Sequence, residues 1–522
     1  MADRNEYIVT LKKGVDLAAF NDEMISDHGS AVIPNRAIDV ANERPGSNRF
    51  IHYYLTKREA KLLRLEDRVL NVELTVKDNP DIIITKAAVQ SGNFNKPNGV
   101  FWEDNINWGL IRSTSTSNVY GTGLEPTTST YKYPVDGRGV DIVIMDSGID
   151  FDHPEFGNRV QRINWAEEAG LSNTIQQDPA HDTDPDGHGT HVAAIAAGET
   201  YGWAKNAHIY SLHVDLGVDT TGYSIEDAFD VLLGWHNAKT NGRPTIVNMS
   251  WGVTFQIANA NIISGVYQGL EWFAGDLTRT QIWQNFGIVA WNNDNVILPA
   301  SYTSIDVAVD ELIDAGIHVI TAAGNSLCKV DLDFGVDYDN TVTLETATGL
   351  LATLFTNRPS SPYSINAINV AALDHTTVNG ADKIWYLSDR GPAIDIFAAG
   401  SDIMSAYSSI TPISQRANSA YYRNENFKQA SLSGTSMAAP QVAGVAALYA
   451  QVNKSINPKD LKDAIKRDGL KTQIHDTDSS TDYTNYNLSL LGSPNNILLS
   501  KYRDKDPGSY SNVFYANFTE AR

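Results

Sequence analysis

Within the first 76 residues, apolar positions switch between strand and helix periods in a compact order. Tyr7, Val9 and Leu11 alternate as one face of a strand, Leu17, Phe20 and Met24 recur at helical spacing, and Phe50 to Leu55 is a second strand-like run. Thr56 and Glu59 have the spacing of a capping box ahead of Ala60, Leu62 and Leu63, and Val69 to Leu74 is the last strand. With Ala31 to Ile33 as a further short strand, residues 1–76 read β-α-β-β-α-β, a small α+β unit of ferredoxin-like type.

Periodicity lapses over residues 77–107, where Gly92-Asn93-Phe94-Asn95-Lys96-Pro97-Asn98-Gly99 reads as an exposed linker open to proteolysis. Beyond it, short apolar runs (VDIVIMD, HIYSLHV, PTIVNMS, HVITAAG, INVAALD) are separated by helical stretches. Continuous apolar strands of this kind belong to a mostly parallel sheet covered by helices on both faces, so residues 108–503 are expected to form a doubly wound α/β domain. Ligands in such folds lie beyond the carboxyl ends of the strands. Residues 504–522 form a tail without a readable motif.

Composition narrows the class of function. The 522 residues include 62 acidic and 40 basic side chains, a net charge of −22, which argues against a nucleic-acid partner. Cys328 is the one cysteine, so neither an intramolecular disulfide framework nor a thiolate zinc cluster is expected. The start, MADRNEYIVTLKKG, lacks a secretory pattern, and no apolar run approaches the roughly 18 residues of a membrane span. These features suggest a soluble, cytoplasmic or virion-associated protein.

Four segments carry candidate chemistry. The strand ending in Asp146-Ser147-Gly148 puts a carboxylate at the sheet edge, and Asp186-Gly187-His188-Gly189-Thr190-His191 opens a helix of small residues. Ala322-Ala323-Gly324-Asn325 ends a strand with an amide able to donate to an oxyanion. Leu432-Ser433-Gly434-Thr435-Ser436 leads into a second small-residue helix, in whose first turn backbone N–H groups lack intrahelical acceptors. Taken singly, Asp146 reads equally as a turn cap, His188 as a metal ligand or surface histidine, and Ser436 as an N-cap. Together they supply a hydroxyl nucleophile, an imidazole base, an orienting carboxylate and oxyanion donors, the parts of an acyl-transfer site.

The words VDIVIMDSGIDFDHPEF, DGHGTHVAAIAAG, HVITAAGNS and LSGTSMAAPQVAG, in that order, resemble the motifs of the subtilisin-like serine proteases, and Trp108-Gly109-Leu110-Ile111-Arg112 resembles the mature start of the proteinase K branch. The resemblance implies a serine endopeptidase acting on polypeptides, with Ser436 as nucleophile, His188 as general base and acid, Asp146 as its orienting partner, and Asn325 with the Ser436 N–H as oxyanion hole. It also implies that Ser250-Trp251-Gly252 is the substrate-pairing strand, Ala322-Ala323-Gly324 the opposite wall of the S1 pocket, and Tyr223 an S4 residue. Trp251 departs from the leucine usual there, and Gln441 replaces a common histidine outside the chemistry. Residues 1–76 resemble inhibitor-type prodomains, so the chain's own prodomain is an implied partner and processing is expected between about Leu74 and Asn107.

The same resemblance implies a structural calcium ion at Asp395, completed by the carbonyls of Ile365 and Ala367. Asp182, Asp184 and Asp186 lack the pattern of a calcium loop and read as a solvated acidic loop. Insertions relative to the family core are expected at 253–302, 327–356 and 405–428. A reading from another class is a virion structural or assembly protein that keeps the fold, with the triad unused or used only for self-processing.

Overall fold

The computed structural model describes residues 4–12, 14–42, 50–74, 90–95, 107–118, 128–164, 183–214, 225–257, 260–286, 296–345, 349, 351–411, 418–477 and 488–503. The chain divides into two compact units, Met1–Ala87 with Tyr510–Arg522, and Ala88–Ser509, each described by itself.

In the first unit, four antiparallel strands lie in the order Asp39–Asn42, Phe50–Leu55, Asn5–Leu11, Val69–Leu74, with helices Leu17–Ile25 and Lys57–Leu63. Tyr7, Val9 and Leu11 turn inward with Phe20 and Met24, as their periods require. The Thr56 hydroxyl accepts from the Glu59 N–H at 3.3 Å and the Glu59 carboxylate accepts from the Thr56 N–H at 2.8 Å, so the capping box is formed. The short strand expected at Ala31 to Ile33 is instead Asp39–Asn42. Gly29, at φ 71°, bridges to Pro34, and the Ser30 hydroxyl accepts from the Ile33 N–H, so residues 31–33 are spent in a turn that still buries Ile33.

The second unit is built on a largely parallel sheet. Its order is Leu470–Lys471, Asn496–Ile497, Ile396–Ala399, Ile368–Val378, His318–Ala322, Thr245–Met249, Asp141–Asp146, His208–His213 and Val160–Arg162. Strands Asp141–Asp146, Thr245–Met249, His318–Ala322 and Ile396–Ala399 are buried throughout, which is why their sequences are continuous apolar runs. Val143, Met145, Val247, Met249 and Val319 form one core with Phe229 and Leu232 of helix Ile225–Ala238 and with Val309 and Leu312 of helix Thr303–Asp314. Helices His188–Ala197 and Thr435–Val452 form the other layer, packed so closely that a Cβ on Gly444 would meet the Ala196 carbonyl at 2.6 Å. That contact explains why both helices are made of small residues.

Strand order reverses at Asp141–Asp146, whose neighbours are His208–His213 on one side and Thr245–Met249 on the other. The carboxyl ends of these strands form the crevice where such sheets bind ligands.

The linker segment is partly ordered in a way its sequence does not announce: Gln90–Asn95 pairs antiparallel with Thr128–Tyr133 inside the second unit. Segments 253–302 and 327–356, expected to be insertions, form a joint substructure. Strands Leu270–Phe273, Asn261–Tyr267, Thr341–Glu345 and Leu351–Phe355 make one four-stranded antiparallel sheet, and Ile262, Trp272, Phe286, Cys328, Val342 and Leu344 share its core. The third, within 405–428, joins Ile403–Tyr407, Asn424–Leu432 and Asn418–Tyr421 in a three-stranded sheet. Among the described residues, no helix is long and apolar enough to cross a membrane.

Candidate active site

Asp146 ends its strand fully buried, and its Oδ1 accepts from His188 Nδ1 and from the Ser147 N–H, both at 2.8 Å. His188 is the first residue of its helix, brought there by Gly187 at φ 88°, over the Tyr407 ring, and by Gly189, where a Cβ would meet the Gly148 carbonyl at 2.1 Å. Asp184 fastens this junction. One of its oxygens accepts from the Gly187 N–H at 2.8 Å and the Ser147 hydroxyl at 2.9 Å, and the other from the Thr190 N–H and hydroxyl at 2.7 Å. Ser147 then accepts from the Gly189 N–H, and Thr190 from the Asp150 N–H, each at 2.9 Å. Burial pushes the Asp184 carboxyl up to about 6, against the pull of these four donors. The solvated acidic loop read from the sequence is therefore corrected at Asp184, which is buried; Asp186 is exposed and Asp182 lies outside the described residues.

Ser436 occupies the first turn of helix Thr435–Val452 and is 8% exposed. Its hydroxyl donates to the Ser250 carbonyl at 2.7 Å, and the Ser250 hydroxyl donates to the Ser436 carbonyl at 2.8 Å, tying the helix start to the end of strand Thr245–Met249. Asn325 is exposed, and its Oδ1 accepts from both the Thr435 N–H at 2.9 Å and the Thr435 hydroxyl at 2.8 Å. With the oxygen held twice from one side, the amide NH2 is directed away from Thr435 as a donor. Asp389 grips the same loop: its N–H donates to the Gly324 carbonyl, and its Oδ1 accepts from the Ser326 and Cys328 N–H groups at 2.9 and 2.8 Å. Gly324 sits at φ 112° with the Asp389 carboxylate 2.2 Å from where a Cβ would be, and burial pushes that carboxyl up to about 7.

These residues come from three strand ends and two helix starts. The stretch carrying them, residues 137–486, matches the family model described as the subtilase family. The chain belongs to the subtilase family. A subtilisin-like serine protease named Pen c 2 from Penicillium citrinum is 26% identical over 421 residues, 78% of this chain and 69% of that protein. A cuticle-degrading serine protease from Arthrobotrys oligospora is 24% identical over 509 residues, 95% of this chain and 91% of that protein. A solved structure, a cold-adapted subtilisin-like serine proteinase, is 23% identical with a TM-score of 0.46 and covers 76% of this chain and 99% of its own. The chain is accordingly a subtilisin-like serine endopeptidase, as the four sequence words imply.

Other site residues of this subtilase have distinct fates. Ala322 and Ala323 are each 7% exposed and line a small pocket with Val330, Ser360, Tyr363 and Ile394. Gly252 lies against Ser360, whose hydroxyl is 2.6 Å from where a Cβ would stand. The Trp251 side chain is committed to the core: its indole N–H donates to the Met145 carbonyl at 2.9 Å and its ring meets Phe229 edge-on. Trp251 thus positions the residue before Asp146, and its bulk is spent inside the core. Tyr223 lies outside the described residues. Gln441 donates to Asn107 Oδ1 at 2.7 Å and accepts from the Trp203 indole at 2.8 Å, so it anchors the cap of helix Trp108–Arg112. Asp395 and the carbonyls of Ile365 and Ala367 do converge, but on the ammonium of Lys462.

Sequence reasoning missed Asp184, Thr435, Asp389 and the 405–428 sheet as supports. Tyr407 of that sheet donates to the Asp186 carbonyl at 2.8 Å, and the Ser405 hydroxyl donates to the His191 carbonyl at 2.8 Å. His191 Nε2 in turn lies 3.1 Å from the Ile403 carbonyl and 3.0 Å from that of Ala430. Only Thr435 carried a signal, its place one residue before the nucleophile motif's serine.

Proposed function

We propose that this subtilase cleaves peptide bonds through Asp146, His188 and Ser436, and that it is made as a self-inhibited zymogen. The observation that carries the reading is the 2.8 Å bond between His188 Nδ1 and Asp146 Oδ1 at the carboxyl end of strand Asp141–Asp146. A buried carboxylate fixes the imidazole with Nδ1 protonated, which leaves Nε2 as the base. On substrate binding, the Ser436 hydroxyl turns from the Ser250 carbonyl, gives its proton to His188 and attacks the scissile carbonyl. The carbonyl oxygen gathers negative charge, which the Asn325 amide and the Ser436 N–H receive. His188 returns the proton to the leaving amine, and water repeats the sequence on the acyl-enzyme. Asp146 stabilises the imidazolium formed in each half and stays ionised.

An extended peptide pairs with the Ser250-Trp251-Gly252 backbone, and residues 1–76 act as the intramolecular inhibitor until the chain is cut between about Leu74 and Asn107. The βαββαβ order of the first unit supports that role. The test is Ser436→Ala in the full chain, read by fluorophosphonate labelling, peptidase assay and chain length. The expected result is no labelling, a loss on the order of 10⁶-fold in kcat, and a chain that stays uncut. Normal turnover or normal processing of that variant refutes the assignment.

A further inference from the structure

The family resemblance places a calcium ion at Asp395 with the Ile365 and Ala367 carbonyls, and the residues present do not fit one. Lys462 Nζ donates to the Ile365 carbonyl at 2.7 Å, the Ala367 carbonyl at 2.6 Å and Asp395 Oδ2 at 2.7 Å. An ammonium has three N–H donors, and all of Lys462's are used. Calcium–oxygen distances run to about 2.6 Å, so an ion bound to these three oxygens would occupy the place that Nζ fills.

Charge gives the same answer. Lys466, one helical turn on, donates to Asp395 Oδ1 at 2.7 Å, so two ammonium groups already face one carboxylate. Asp395 Oδ2 also accepts from the Asn369 N–H at 3.0 Å, leaving little lone-pair capacity for a metal. The side chains of Lys462 and Asp395 are 11% and 7% exposed, so this is a built, largely dry centre and not a surface pair that forms and breaks in water. Among the described residues, no group of three or more acidic, histidine or cysteine side chains is placed to hold a metal elsewhere.

We propose that the Lys462 ammonium is the resident cation of this centre, a tethered replacement for calcium, and that the wild-type chain binds no calcium there. The tether has a physical consequence. Lys462 and Lys466 belong to helix Pro458–Asp468, so the cation joins that helix to the chain before strand Ile368–Val378 and before Ile396–Ala399. A bound ion stabilises only in proportion to its free concentration over Kd, whereas a side-chain cation is present at any calcium level and cannot be chelated.

The test uses the full chain in a Ser436→Ala background, so that self-cleavage does not distort melting, compared in calcium and in chelator. The parent and Asp395→Asn are expected to show the same calcium-dependent shift in melting midpoint. Lys462→Ala/Lys466→Ala vacates the cation position and keeps all three acceptors. It is expected to gain a calcium-dependent rise of several degrees, and adding Asp395→Asn to it removes that gain. Titration calorimetry supplies a second reading that needs only the parent and the Lys462→Ala/Lys466→Ala chain, which is expected to bind one more calcium than the parent. A calcium shift in the parent that Asp395→Asn diminishes overturns the proposal, and so does an equal calcium stoichiometry in those two chains.

Discussion

Replacing Asp184 tests whether the junction that holds Asp146 against His188 depends on a buried carboxylate. Asp184→Ala removes the acceptor of the Gly187 and Thr190 N–H groups, both buried, and of the Ser147 and Thr190 hydroxyls. The hydroxyls can rotate toward other acceptors, but the two N–H groups cannot, and each stranded donor costs about 1–3 kcal/mol. With the space left by the side chain, the expected loss of stability is about 3–5 kcal/mol. Asp184→Asn keeps one oxygen and turns an NH2 toward the other pair of donors, so one backbone bond is lost and the cost falls to about 1–3 kcal/mol.

Activity should follow the same order. The Ser147 to Gly189 and Thr190 to Asp150 bonds survive in both variants, so the Asp146–His188 pair is loosened and not dismantled. A displacement of about 1 Å at reacting groups costs on the order of 10²-fold, and Asp184→Ala is expected to lose between tenfold and that in kcat, with little change in KM. Thermal or denaturant unfolding with peptide kinetics on the same preparations is the assay. A solvated surface aspartate changes stability by about 0.5 kcal/mol or less on replacement. If Asp184→Ala stays within that range and keeps its kcat, the wiring described here is refuted.

Two further outcomes follow from neighbouring contacts. Thr435→Val removes the hydroxyl that donates to Asn325 Oδ1 at 2.8 Å while leaving the Thr435 N–H bond, and is expected to cost about tenfold in kcat, against roughly 10²–10³-fold for Asn325→Ala. Equal losses in the two would show that Thr435 does more than orient the amide. Burial, helped by the nearby His236, holds His318 down at about 4 against its ordinary 6.5. The unfolded chain therefore takes that proton first, and stability falls as pH drops from about 6.5 to 4 by an amount on the order of 3 kcal/mol. His318→Val should flatten that limb of a stability-against-pH profile, and an unchanged limb would remove His318 as its cause.

What the sequence disclosed and what it hid have different physical sources. Asp146, His188, Asn325 and Ser436 stand at ends of strands and starts of helices, where a few adjacent residues set both the backbone and the exposed group. Gly187, Gly189 and Gly324 are part of those local words, and the structure gives each a close contact or a positive φ. Lys462 was invisible for the opposite reason. Helix Pro458–Asp468 carries Lys459, Lys462 and Lys466 with no local mark to tell them apart, and only the fold brings two of them, Lys462 and Lys466, onto acceptors about 65 to 100 residues away. Asp184 was masked by its acidic neighbours, since nothing in residues 182–186 marks which carboxylate turns inward.

Segments 253–302 and 327–356 are ordered by pairing that lies furthest from local pattern. Asn261 pairs with Glu345 and Val266 with Thr341, a register fixed by a core to which both segments contribute. Ile262, Trp272 and Phe286 come from the first segment and Cys328, Val342 and Leu344 from the second, so the pairing that joins them depends on partners far apart in the chain. The 405–428 sheet goes a step further, because its bonds reach Asp186 and His191, the residues on either side of the His188–Thr190 turn. Asp184 holds that turn from the Asp146 side, and Tyr407 and Ser405 hold it from the other. The imidazole is thereby fixed by one local device and one that depends on the whole fold. The helix start, which has no side-chain cap of its own at Gly187, owes its position to both.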